Sequence, residues 1–139
     1  MLVVAILGVL AVIAFPSYAA YRERTRVAQA VLDIKDMETK IKLYAIENRG
    51  LPDSLGEIGM GGLKDPWGNP YQYTNLETLK GKGEARKNKN LVPINSDFDL
   101  YSMGKDGASS SPLTAQPSRD DIVRANDGRF VGLASDYEP

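Results

Sequence analysis

The sequence predicts an α+β fold: one long N-terminal helix packed across a small antiparallel sheet, followed by a long C-terminal loop. Three observations carry that reading. Residues 1–49 read as one helix, apolar at first and then striped with apolar residues at steps of three and four. Two later stretches, Tyr71-Gln-Tyr-Thr74 and Asp97-Phe-Asp-Leu-Tyr-Ser102, alternate in the manner of half-buried strands. From Gly104 to Arg119 the chain is Gly, Ser, Pro, Thr and Gln with almost nothing apolar, the chemistry of a surface loop.

The helix has two halves. Met1 through Phe15 offers no polar side chain, and a helix that is apolar all round needs lipid or a fully buried core around it. From Tyr18 onward, Val27, Val31, Ile34, Met37, Ile41 and Tyr44 form a single stripe among Arg, Lys, Asp and Glu. Gly50, followed by Leu51-Pro52, is the expected stop, because glycine accepts a left-handed turn and proline cannot continue the ladder. Such a helix is about 70 Å long, whereas a domain of this size is about 30 Å across, so the apolar half has to project. The expected division is an apolar segment over residues 1–20 and a globular unit over 21–139. Within that unit, 21–49 is the amphipathic half of the helix and 50–139 the sheet and loops.

The apolar run of about fifteen residues falls short of the roughly 20 that a bilayer span needs. Residues 16–20, or residues upstream of Met1, would complete it. A cleaved signal peptide fits poorly: no basic region precedes the run and it flows unbroken into the amphipathic half. Arg22, Arg24 and Arg26 flank it on one side only. Gly8 and Pro16 read as an ordinary kink, with a segment able to unwind as the sharper alternative.

Past the helix, Leu51 to Leu63 is a Gly-rich connector in which Asp53-Ser54 can cap a short helical turn. Lys64-Asp-Pro-Trp-Gly-Asn-Pro70 is a rigid turn with Trp67 as a core plug whose N–H needs a nearby acceptor. The first strand follows. Leu76 to Pro93 is a loop with a basic, solvated tip of Lys80, Lys82, Arg86, Lys87 and Lys89. The second strand then pairs antiparallel with the first. After the Gly104–Arg119 loop, Asp120-Asp121-Ile122 closes it, and Arg129 to Leu133 is a third strand or an ordered tail.

The chain has 139 residues, a net charge of −1, no Cys and no His. That balance does not point to nucleic acid as the main partner. The missing residue types exclude Cys- and His-based nucleophile pairs, haem and the usual zinc sites. Asp106, Asp120 and Asp121 bracket the long loop, with Asp97 and Asp99 near in sequence. Such oxygen donors suit calcium above magnesium, although solvated turn aspartates are the plainer account on these residues alone. Adjacent carboxylates also suggest glycosidase chemistry, but no opposing geometry is evident.

The opening string Met1-Leu-Val-Val-Ala-Ile-Leu-Gly-Val-Leu-Ala-Val-Ile-Ala-Phe-Pro-Ser-Tyr18 resembles the start of type IV pilins and type II secretion pseudopilins. Asp65-Pro-Trp-Gly-Asn-Pro-Tyr71, Phe98-Asp-Leu-Tyr-Ser-Met-Gly-Lys-Asp-Gly107 and Asp120-Asp-Ile122 are similar to the major pseudopilin in particular. The resemblance implies a pilin-like structural subunit without an active site. Its helix would anchor in the inner membrane, with the folded domain in the periplasm, and later form the core of a homo-oligomeric helical filament in the periplasm or at the cell surface. Its partners would be further copies, the membrane before assembly, and the secretion or pilus assembly machinery. The segment from Gly8 to Pro16 matches the part that loses helical structure in such filaments. The family's calcium loop maps onto the carboxylates of Asp106, Asp120 and Asp121 and the carbonyls of Met103 and Ala108. Absence of Cys fits the pseudopilin better than pilins with a C-terminal disulfide.

The chain departs from the family in places. The family begins a few residues earlier, with a methylated Phe and a Glu shortly after it, so Met1 is expected to be an internal position. The 76–93 and 106–120 loops are longer than usual, and the 123–139 tail has no counterpart. A surface pilus for adhesion, motility or DNA uptake is the alternative within the class. A monomeric, membrane-anchored periplasmic binding module is the alternative outside it, and an enzyme comes last.

Overall fold

The computed structural model describes residues 2–139, and the expected start at Met1 lies outside them. Helix α1 runs Leu2–Asn48 and passes through Pro16 without ending. Its apolar end stands away from the domain, with Val3, Val4, Ile6, Leu7, Val9, Leu10, Val12 and Ile13 all exposed. This helix is long and apolar enough to cross a membrane, and among the described residues none of its most apolar stretch is buried against the rest of the chain. The other half behaves as the stripe predicts. Ile34, Met37 and Ile41 are fully buried, Val27, Val31 and Tyr44 half-buried, and Ala30 joins the same face.

The helix stops differently from expectation. Arg49, with φ of 59°, takes the left-handed turn in place of Gly50. The Asn48 side chain donates to the Tyr44 carbonyl at 3.0 Å and closes the last turn early. The reversed chain is then held by Tyr73, whose hydroxyl donates to the Pro52 carbonyl at 2.7 Å. In the connector a 3-10 turn forms at Leu55–Ile58, with Ser54 in the cap position but making no side-chain cap bond. Glu57 Oε2 instead accepts from the Asp53 N–H at 3.0 Å.

Four strands make one antiparallel sheet in the order β1 (Gln72–Asn75), β2 (Phe98–Ser102), β3 (Ile122–Ala125) and β4 (Phe130–Leu133). The β1–β2 pairing is the one the alternating stretches predict, with Gln72 opposite Tyr101 and Asn75 opposite Phe98. Strand β3 is the addition, and it makes Phe130–Leu133 a paired strand where a tail was the other option. The alternation signal is missing from Ile122-Val-Arg-Ala125 because all four residues are buried. Ile122 packs with Ala30, Ile34, Met37, Ile41, Phe98 and Leu100 in the helix–sheet core. Val123 and Ala125 point the other way, into a second core with Ile94, Leu113, Ala134 and Tyr137. The long loop is therefore partly a lid over the back of the sheet, with Leu113 and Ser118 buried and a 3-10 turn at Gln116–Ser118.

Candidate functional site

The turn from Lys64 to Pro70 positions the near wall of the acidic loop. Buried Asp65 accepts from the Trp67 and Asn69 N–H groups at 3.0 and 2.9 Å, and from the Ser102 hydroxyl at 2.6 Å. Trp67 is half-buried, and its indole N–H donates to Glu23 on α1 at 3.1 Å, the acceptor the sequence left unnamed. Asn69 Nδ2 in turn donates to the Gly104 carbonyl at 3.1 Å. Gly104 adopts φ of 65°, and any Cβ there would run into the Asp120 carbonyl. Only glycine lets the start of the loop lie so close to its end.

That close approach assembles the carboxylates. Asp106, Asp120 and Asp121 each bring one oxygen to within 4.8 Å of the others. The Asp106 N–H donates to Asp120 Oδ2 at 2.9 Å, and the Ala108 N–H to Asp106 Oδ1 at 2.8 Å. Met103 and Ala108 lie in the same loop, half-buried and exposed respectively. Asp97 and Asp99 do not join. Asp97 pairs with Arg124, while buried Asp99 accepts from the Arg86 N–H at 2.7 Å and from Asn95 at 2.9 Å.

The basic tip needs a correction at Arg86, which is buried. Its Nη2 donates to Asp121 Oδ2 at 2.7 Å, and its Nη1 to Ser109 Oγ and the Ser110 carbonyl. Composition alone cannot distinguish this arginine from its solvated neighbours, because what buries it is a partner 35 residues away. Asp121 is fully buried. Burial pushes its carboxyl up to about 6, against the downward pull of the Ser109 hydroxyl and the Arg86 guanidinium. Among the described residues, Asp120 Oδ1 and Asp121 Oδ1, like Arg86 Nε beside them in the cluster, are buried without a hydrogen-bond partner. Such orphaned anionic oxygens are costly unless a cation meets them, so the donor set fits a hard metal ion.

A second charged cluster locks helix to sheet. Arg124 of β3 is buried. It reaches Glu38 on α1, Asp97 and the Phe98 carbonyl, and lies over the Phe98 ring at 3.9 Å. Gly128, with φ of 91°, leaves room for Glu38, which a Cβ would strike. Neither Glu38 nor Arg124 carried any signal in the sequence beyond being charged.

A stem apolar and exposed at one end and locked to a small sheet at the other defines a pilin-like subunit. The chain belongs to the family of type II secretion system core protein G pseudopilins, and it is also similar to type IV pilins. The type II secretion system core protein G of Pseudomonas aeruginosa is 31% identical over 129 residues, spanning 77% of this chain and 79% of that protein. That of Aeromonas hydrophila is 27% identical over 134 residues, spanning 80% and 81%. The type IV major pilin protein PilA of Myxococcus xanthus is 30% identical over 118 residues, spanning 81% of this chain and 51% of that protein. No protein-family model matches the chain. No solved structure matches it either.

Proposed function

We propose that the chain is the structural subunit of a helical pilus-like filament, the major pseudopilin of a type II secretion-type system. The observation that carries this reading is the exposed apolar half of α1, whose described residues find no cover within their own domain. Lipid covers it while the subunit is stored in the inner membrane with its domain in the periplasm. Neighbouring stems cover it in the filament. Similarity to core protein G from several organisms favours the secretion system. The type IV pilin relatives support a surface pilus as the second reading. Overexpression in cells carrying the matching assembly machinery should give sheared filaments by electron microscopy. Monomers and small oligomers under every condition would instead mean a membrane-anchored binding module.

We also propose that the loop binds one calcium ion through Asp106, Asp120 and Asp121, with the carbonyls of Met103 and Ala108 completing the set. The two orphaned carboxylate oxygens support this reading. Calcium at about a hundred times its dissociation constant adds roughly 2.7 kcal/mol to stability. Thermal melting of the full chain in detergent, with calcium and then with chelator, should separate the two curves; superimposed curves would discard the site.

A further inference from the structure

The two long loops are one unit. The Lys87 N–H donates to the Ser111 carbonyl at 3.0 Å, and the Leu113 N–H to the Lys87 carbonyl at 2.8 Å. This strap between residues 76–93 and 104–119 carries Arg86 into the acidic cluster. Its guanidinium is held from several sides: Asp121 Oδ2 at 2.7 Å, the Ser110 carbonyl at 2.8 Å, Ser109 Oγ, and the Tyr101 ring at 4.2 Å beneath it. Arginine cannot shed its proton under ordinary conditions. The cluster therefore contains a permanent, immobile positive charge.

We infer that Arg86 sets the charge of the site and with it the preference for a divalent ion. This rests on the calcium reading above. The three carboxylates and the one guanidinium leave an excess of two negative charges. A divalent ion balances that excess. A trivalent ion leaves surplus positive charge facing a buried guanidinium at short range, which is unfavourable. Arg86 also fixes which oxygen is offered. It occupies Asp121 Oδ2, and among the described residues Oδ1 of this fully buried residue, like Asp120 Oδ1, has no partner. Part of the loop's order comes from the chain's own cation, so removing metal releases the Asp106 side of the loop before the Asp121 side.

The test compares terbium(III) with calcium on the full chain in detergent micelles, reading terbium emission excited through the tyrosines and calcium by competition. Arg86→Gln should raise the terbium-to-calcium affinity ratio by at least about tenfold. Arg86→Lys, which keeps the charge, should leave the ratio within about threefold. A residue that only shaped the loop would weaken both ions together and not move the ratio. A ratio unchanged in the glutamine chain overturns the inference while leaving the calcium site standing. A wild-type chain that binds neither ion removes the calcium reading and this inference with it. If neither variant folds, Tyr101→Leu, which removes the ring beneath the guanidinium and keeps its charge, should leave the wild-type ratio within about threefold, and a ratio moved by more than that overturns the inference.

Discussion

Arg124 Nε donates to Glu38 Oε1 at 3.0 Å, so a charge from β3 and a charge from α1 meet inside the core. The other two guanidinium nitrogens donate to Asp97 at 2.7 and 2.8 Å, and Nη1 also reaches the Phe98 carbonyl at 3.0 Å. Every guanidinium nitrogen is used, which is what makes a buried arginine tolerable. Lys42, one turn along the helix, lies 2.6 Å from the same Glu38 oxygen.

Arg124→Met should cost about 3 kcal/mol, because Glu38 and Asp97 lose the cation that pairs them. Denaturant unfolding of the full chain in detergent measures this directly. A loss below about 1 kcal/mol would mean the pair is replaceable by packing alone.

The same cluster predicts an acid-side loss of stability. Burial works to raise the Asp97 carboxyl, but hydrogen bonds from Arg124 and the Phe98 N–H, with the guanidinium charge, hold it below its ordinary 3.8. A depressed folded value stabilises the protein above the unfolded value and is lost as pH falls through the folded one. Melting temperature should therefore fall as pH drops below about 4, and fall less steeply in Asp97→Asn. Parallel profiles for the two chains would sink the assignment.

Val9→Asp or Val12→Asp should abolish filaments while leaving the domain folded. Val12 is 73% exposed on the isolated chain, so the substitution does nothing to the domain's own core. Between packed stems an unpaired charge costs several kcal/mol. Normal filament yield from either variant would place residues 9 and 12 outside the subunit interface.

Gly104→Ala should destabilise the domain by roughly 1–3 kcal/mol, from the positive φ and the collision with Asp120. It should also remove any calcium-dependent shift in melting. Gly8→Ala serves as the contrast: open space surrounds Gly8, and the helix gains propensity. Equal effects at the two glycines would refute the close approach.

The segment from Gly8 to Pro16 is helical in the isolated chain. In lipid it has to stay so, since unpaired backbone groups are too costly there. Among packed stems other partners exist, and the segment is expected to extend. A filament map with unbroken helix through Pro16 would end that expectation.

What the sequence made legible was whatever one element does alone. The stripe from Val27 to Tyr44, the alternation at Tyr71–Thr74 and Asp97–Ser102, and the Asp residues around the long loop needed only local pattern. What stayed hidden depended on two surfaces at once. β3 lost its alternation because helix and loop cover opposite faces, so Val123 is as buried as Ile122. Arg86, Arg124 and Glu38 look like solvated charges until distant partners bury them. Gly50 was a reasonable stop, displaced by one residue because Asn48 could close the helix with its own side chain.

The lock at Glu38 also has a mechanical meaning. In the sheet order β1-β2-β3-β4, Arg124 sits on a strand with a hydrogen-bonded neighbour on each side. A pull along the stem passes through this pair to an interior strand, where the load divides between two ladders, while α1 also packs on β2 and β4. Attached to β1 or β4, the same tether would unzip the sheet one bond at a time from its rim. A stem under load thus passes strain through Arg124 to a strand that two neighbours hold in place.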